Sequence, residues 1–376
     1  MKSAVDKNTS VFLDGHLDRS NWKRVRLGDL LSYEQPYSYI VNNREYSKAG
    51  TPVLTPGKTF ILGYTQENNG LCHATPQAPR ILFDDFLTIS RLVEFDFKVK
   101  SSAVKILSPA SEDCNLRFLF YAMSQLRFDV VDHQRHWIGQ FSKLEIAIPK
   151  RYEQDRIAAA IMACDKHIAA LQSLISKYQA IKKATVNLLL VPSKNWRQIR
   201  LGDIGEVSMC KRILKSQTSA TGDVPFFKIG TFGKQPDAFI SRTLFEDFKR
   251  RFSYPKVGDV LLSAAGTIGR TVVFNGEDAY FQDSNIVWID NNERIVTNSF
   301  LSVLYGQMYW QTENGGTVSR LYNANIRNTN IVIPPVSEQK RIGAILDSID
   351  GTISGLKSQL AKSQDIKQGM MSYFFG

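Results

Sequence analysis

The chain has 376 residues, of which 43% are hydrophobic and 22% charged, a balance that excludes a disordered polyelectrolyte and a protein built of membrane spans. No stretch reaches the roughly 18 consecutive apolar residues a spanning helix needs, and Met1 to Asn21 lacks the apolar core of a secretory signal, so a cytoplasmic protein is expected. A formal charge of +11 favours polyanionic partners such as nucleic acid, and the length calls for two or three domains.

In chain order, a polar N-terminal segment over residues 1–20 precedes a mixed α/β region over 21–149. That region opens on Trp22, Leu27, Gly28 and Asp29. It carries β-rich runs such as Arg80 to Phe83 among turn residues, and its best helix candidate is Leu116 to Leu126. Ile148 and Pro149 close it, and Glu153 sits where a negative charge suits a helix start, so a long helix is predicted over 150–192. The helix can run to about Leu190, before Pro192; roughly 38 residues at 1.5 Å give about 57 Å. A second mixed region over 193–335 opens on Trp196, Leu201, Gly202 and Asp203. It has strand-like runs at Asp259 to Ser263 and Ser284 to Ile289 and a helix candidate at Phe300 to Trp310. Ile333, Pro334, Glu338 and Gln339 then start another long helix over 336–376.

These markers are an internal repeat. Trp22 recurs as Trp196 and Glu153-Gln154 recurs as Glu338-Gln339; the second offset is the larger, so the second copy holds more residues between its markers than the first. After each Glu-Gln the apolar residues alternate at spacings of four and three, the seam of a heptad helix. The first seam is Ile157, Ile161, Cys164, Ile168, Leu171, Ile175 and Tyr178; the second is Ile342, Leu346, Ile349, Ile353, Leu356, Leu360 and Ser363. Such seams must be covered, and each is the obvious partner of the other. The expected fold is α+β: two mixed α/β domains separated by two long helices that form an antiparallel coiled coil, with a pseudo-two-fold internal repeat.

Catalytic and metal motifs are weak. Cys72, Cys114, Cys164 and Cys210 stand singly, as buried thiols rather than zinc ligands or disulfides. Pro56-Gly57-Lys58-Thr59 resembles the end of a phosphate-binding loop, but Pro52 occupies the position of its first glycine. His133 and His136 lack a third ligand at a plausible spacing, and Asp237 lies far along the chain from Glu338 and Lys340, so no metal site or nuclease centre is expected.

The paired Trp-x-x-x-x-Leu-Gly-Asp and Ile-Pro-x-x-x-Glu-Gln segments resemble those of the specificity subunits of Type I restriction-modification systems, over nearly the whole chain from Asn21. Gly258 to Gly269 and Gly315-Gly316-Thr317 in the second region also look like family features. The first region lacks both in that form, and its Pro79 to Asp85 is similar to a different family variant. The resemblance implies a non-catalytic DNA-recognition subunit. Each domain would read one part of an asymmetric split site on double-stranded DNA, while the helices set the separation and dock two methyltransferase subunits and, in some systems, two restriction subunits. S-adenosylmethionine would then belong to the methyltransferase partner, and ATP and magnesium to the endonuclease partner, with no cofactor on this chain.

Phosphates are held by Lys and Arg, and base edges are read by Arg, Lys, Gln and Asn. The candidates are Lys58, Tyr64, Gln66, Lys105 and Arg135 in the first domain, and Lys228, Lys234, Arg270, Gln282 and Asn285 in the second. Thr267 and the backbone of Gly266 and Gly269 would allow close approach. The alternatives are a stand-alone DNA-modifying or cleaving enzyme and a DNA-independent scaffold.

Overall fold

A computed structural model describes residues 19–43, 45–57, 59–128, 135–310 and 320–376. The first region runs β1 (Lys23–Arg26), α1 (Leu27–Leu30), β2 (Leu31–Glu34), β3 (Thr51–Leu54), β4 (Ile61–Thr65), β5 (Arg80–Asp84), β6 (Ser90–Val93), β7 (Lys98–Val99), β8 (Val104–Pro109), α2 (Leu116–Gln125), β9 (Glu145–Ile148) and the long helix α3 (Arg151–Leu189). The second runs β10 (Arg197–Arg200), β11 (Gly205–Ser208), β12 (Val224–Phe227), β13 (Phe239–Ile240), α4 (Arg242–Arg251), β14 (Val260–Ser263), β15 (Thr271–Val273), β16 (Tyr280–Phe281), β17 (Ile286–Asn291), α5 (Asn298–Tyr305), α6 (Asn323–Asn328), β18 (Asn330–Ile333) and the long helix α7 (Val336–Phe375). The chain divides into two compact units, one of Met1–Leu174 with Leu356–Gly376 and the other of Ile175–Gly355, so each long helix gives part of its length to each unit.

The two heads share one topology. The first has a four-stranded sheet in the order β2-β8-β5-β6 and a three-stranded sheet β4-β3-β7; the second has β11-β17-β14-β15 and β13-β12-β16 in the same places. In each three-stranded sheet one pair is parallel, β3 with β7 and β12 with β16. A two-stranded clasp closes each head, β1 against β9 with Lys23 opposite Ile148, and β10 against β18 with Arg197 opposite Ile333.

The repeated markers are the joints of this frame. Leu27 and Leu201 are fully buried, and their backbone N–H groups donate to Leu144 O and Thr329 O, so each clasp turns inward at the same residue. A Cβ on Gly28 would come within 3.2 Å of the Ser142 carbonyl oxygen, and one on Gly202 within 3.2 Å of that of Arg327. Trp22 and Trp196 meet Phe118 and Phe300 edge-on at 6.3 and 6.2 Å.

Gln154 and Gln339 are buried at the start of the long helices, and both are fully used. The amide of Gln154 donates to Asp113 O and Pro149 O while its oxygen accepts from Asn115 N; that of Gln339 donates to Ile295 O and Pro334 O while its oxygen accepts from Thr297 N. Asn115 and Thr297 are the N-caps of α2 and α5, accepting from Phe118 N and Phe300 N. One glutamine thus ties strand, long helix and head helix together. Orphaning any of its partners costs about 1–3 kcal/mol.

Within each unit the long helices pair antiparallel. In the first, Ile157 and Ile161 share a core with Met371 and Phe374, Cys164 Sγ lies 3.6 Å from Met370 Sδ, and Lys367 Nζ is 2.6 Å from Asp165 Oδ1. In the second, Val186 shares a core with Leu346, and Lys182 Nζ is 2.6 Å from Asp350 Oδ1. Lys182 and Lys367 occupy equivalent positions of the two copies, counted from their Glu-Gln markers, as do Asp165 and Asp350, so duplication has produced the same ion pair twice. A lysine in a seam fixes register at some cost in stability. Of the predicted seams, Ile157, Ile161, Cys164, Leu171, Ile175, Ile342, Leu346, Ile353 and Ser363 are buried, while Ile168, Tyr178, Ile349, Leu356 and Leu360 are half-buried.

Several expectations shift in detail. The helix expected over Phe300 to Trp310 ends at Tyr305, capped by Gly306, and the strand expected from Ser284 begins at Ile286 because Ser284 adopts φ 59°. Helix α4 was not foreseen, and its apolar face is sparse, with Phe245 its single fully buried residue. The N-terminal segment lies outside the described residues up to Arg19, whose guanidinium donates to the Gly376 and Tyr373 carbonyls at the end of α7, where a cation suits the helix terminus.

Candidate nucleic-acid interface

The best-formed candidate lies on the second head. Strand β11 is followed by a basic run, Lys211, Arg212 and Lys215. Arg212 and Lys215, together with Lys228 just past β12, the turn Gln282 to Asn285 and Arg320, enclose an open concavity of about 460 Å³. Four cations and two amides line it, the side-chain types that reach phosphates and base edges.

Local bonds set the geometry of this cluster. Ser284 holds φ 59°, uncommon for a non-glycine residue, and Arg320 Nη2 braces it by donating to Ser284 O at 3.1 Å. Such local strain collects at functional sites. Gln282 Oε1 accepts from Ile229 N at 2.9 Å, and both donors of its NH₂ group are unspent in the described contacts. Arg212 Nε donates to Asp283 Oδ2 at 2.9 Å and Lys228 Nζ lies 2.8 Å from Asp237 Oδ1, so two of the four cations are oriented by carboxylates.

Of the residues expected from sequence, the structure brings Lys228, Gln282 and Asn285 into this concavity. Lys234, Gly266 and Thr267 are exposed, with Gly266 at φ +63°. Gly269 has a packing role: a Cβ there would lie 2.7 Å from the Trp310 ring, so that indole occupies the space reserved for an approaching backbone. Arg270 is half-buried and donates to Phe232 O at 2.9 Å. Arg212, Lys215 and Arg320 were missed, although the basic run after a predicted strand was a visible signal for the first two. Arg320 follows residues 311–319, and Gly315, Gly316 and Thr317 lie outside the described residues.

The first head does not gather its expected residues. Tyr64 and Gln66 lie on or beside the outer strand β4, with Gln66 donating to Ala49 O at 2.8 Å. Lys58 and His133 lie outside the described residues. Lys105 is a correction: it is 1% exposed, its ammonium lies 3.3 Å from Asp85 Oδ2 and donates to Gln35 Oε1 at 2.9 Å, and no face remains for a phosphate. Sequence alone could not distinguish this core ion pair from a surface lysine. Arg135 is partly exposed, 3.7 Å from the same carboxylate and over the Phe86 ring.

No cluster of three or more potential metal ligands occurs among the described residues. His136 is buried beside Phe128, and Glu338 accepts from Trp196 Nε1 at the start of α7. Burial raises the thiols of Cys72 and Cys210 to about 12 and also raises that of Cys164, which leaves them protonated and unreactive at neutral pH. No described helix is long and apolar enough to cross a membrane.

One α+β head built twice, each copy seated on a piece of a paired helix and one presenting a basic concavity, defines a tandem recognition protein. The chain belongs to the Type I restriction modification DNA specificity domain family, which it matches over residues 19–179 and again over 193–363. It is 41% identical over 280 residues to a Haemophilus influenzae chain assigned as a type I restriction enzyme specificity subunit, covering 70% of this chain and 71% of that one. With the Escherichia coli EcoR124I/EcoR124II specificity subunit it is 27% identical, covering 96% and 95% of the two chains. Its fold is similar to the Type I restriction-modification S subunit of M. genitalium, with a TM-score of 0.68 over 96% of this chain and 98% of that one at 14% identity.

Proposed function

We propose that the chain is the addressing subunit of a Type I restriction-modification enzyme, reading an asymmetric bipartite site on double-stranded DNA while partner subunits carry out the chemistry. The observation that carries this reading is the pair of heads with one strand order and unlike outer loops, because an identical frame with different faces suits two different half-sites. The basic concavity of the second head, with Arg212, Lys215, Lys228, Gln282, Asn285 and Arg320, is its reading surface. In the first head, Tyr64, Gln66 and Arg135 remain the candidates. Lys234 and Thr267 flank the second surface.

The long helices hold the heads and dock two methyltransferase subunits, which bind S-adenosylmethionine. Two restriction subunits, where the system has them, bind ATP and magnesium. This chain transfers no group and cleaves no bond. Methylome sequencing of cells with and without the gene tests the reading. A split, asymmetric methylated motif that vanishes with the gene is expected; an unchanged methylome, or DNA cleavage or methylation by the purified chain alone, overturns it.

A further inference from the structure

Gln282 and Asn285 line the concavity of the second head, and side-chain amides with both ends free are the usual partners of adenine. Adenine offers an acceptor at N7 beside a donor at N6, so the amide must give one hydrogen bond and take another. Here each amide oxygen is already engaged. Gln282 Oε1 accepts from Ile229 N at 2.9 Å, and Asn285 Oδ1 accepts from Arg320 Nη2 at 3.5 Å. A backbone N–H and a guanidinium only donate, so the atom facing each of them is the oxygen, and the group left to offer is the NH₂.

The surroundings hold Gln282 in this state. Its backbone N–H donates to Phe227 O at 3.0 Å and its carbonyl accepts from Ile286 N at 3.1 Å, so main chain and side chain are both tied. Turning the amide over would set the NH₂ against the Ile229 N–H and orphan that donor. The cations of the lining, Arg212, Lys215, Lys228 and Arg320, give hydrogen bonds and take none. The lining carboxylate, Asp283, is 17% exposed and accepts from Arg212 Nε at 2.9 Å. In the first head Lys100 stands at the position of Gln282: its N–H donates to Leu54 O at the end of β3, as that of Gln282 does to Phe227 O at the end of β12. One place in the frame thus carries different side chains in the two heads, as a base-reading position of an asymmetric site requires.

We propose that Gln282 is a guanine reader, its NH₂ donating to the N7 and O6 acceptors of the major-groove edge, and that it rejects adenine and cytosine. Guanine shows two acceptors on that edge and no donor. Adenine and cytosine would set an amino group, N6 or N4, against the amide NH₂, and thymine offers O4 alone beside its methyl group. Asn285, with its oxygen turned to Arg320, has the same bias towards acceptors. The inference rests on the DNA-reading function proposed above and adds to it the identity of one base in the half-site of the second head.

Methylome sequencing of cells carrying the assembled enzyme tests this. With the unaltered chain, one half of the split motif should hold a fixed guanine that answers to Gln282. Gln282→Glu keeps an oxygen for Ile229 N but puts an acceptor where the NH₂ stood. That guanine should then change to cytosine, whose N4 amino group donates, while every other position stays. If Gln282→Glu abolishes methylation, binding decides, with 7-deazaguanine, which lacks the N7 acceptor, placed at each guanine of the motif in turn. At one of them the unaltered enzyme should bind about tenfold more weakly, while the Gln282→Ala enzyme binds as it does to the unmodified duplex. A motif unchanged by Gln282→Glu, or an equal response of both enzymes at every guanine, would overturn the assignment. A uniform loss across sequences with the motif retained would also overturn it, by making Gln282 a phosphate contact. No split motif in cells with the unaltered chain would overturn the functional reading instead.

Discussion

The two heads have the same strand order but different interiors. The first buries two lysines, Lys98 with its Nζ 2.8 Å from Glu67 Oε2 and Lys105 3.3 Å from Asp85 Oδ2. The Lys98 hydrogen bond is the main cause that lowers the Glu67 carboxyl below its ordinary value. The second has no buried lysine among its described residues, and its core holds an aromatic cluster of Phe245, Tyr254, Phe274, Tyr280 and Phe281. A frame fixed by clasps and a buried glutamine therefore tolerates both a charged and an aromatic interior. The difference is free to follow whatever each outer face must read.

The largest expected effect separates these interiors. Lys105→Met leaves the Asp85 carboxylate buried without its ammonium and should destabilise the first head by about 3–5 kcal/mol. Hydrogen exchange should show β5 and β8 opening while β14 and β17 stay protected; equal protection in both heads would break the contrast. Gln339→Leu should cost the second head about 3 kcal/mol by orphaning Thr297 N and two carbonyls, and Gln154→Leu should do the same to the first. Denaturant titration followed at each head checks this symmetry, and a loss in one head alone would mean that the glutamines are not equivalent.

Smaller effects fall on DNA and on the seam. Lys215→Ala should weaken DNA binding by the assembled enzyme uniformly across sequences and lower its salt-dependence slope by about 1, read from binding isotherms at several salt concentrations. An unaltered slope would remove Lys215 from the interface. At the seam, Lys367→Asp should cost about 1 kcal/mol by facing Asp165, and Asp165→Lys added to it should recover most of that loss. Tyr121 sharpens this test, since its hydroxyl donates to Asp165 Oδ2 at 2.8 Å and has no counterpart among the described contacts of the Lys182–Asp350 pair. Recovery in thermal unfolding should therefore be less complete for the first pair than for the second.

Much of the frame was legible because its signals are local. Proline before Glu-Gln, the four-three apolar spacing and the Trp to Leu-Gly-Asp segment each act within a few residues of themselves. The basic concavity was not. Lys105 and Lys228 are indistinguishable by type, and only the Asp85 side chain, distant in sequence, takes the first out of solvent. Arg320 joined the concavity because the chain returns it to the strained Ser284 turn, 36 residues earlier. In sequence Gly269 reads as a point of close backbone approach, and Trp310 decides otherwise.

The sequence by itself determined the duplication, the two long helices and their seams, since periodicity and repeated markers specify these without knowledge of distant neighbours. Only the tertiary structure decided that the buried glutamines join strand to helix, that the seam lysines form one ion pair twice, and which cations remain on a surface. Those outcomes depend on which groups long-range folding brings within about 3 Å, where hydrogen bonds and ion pairs form.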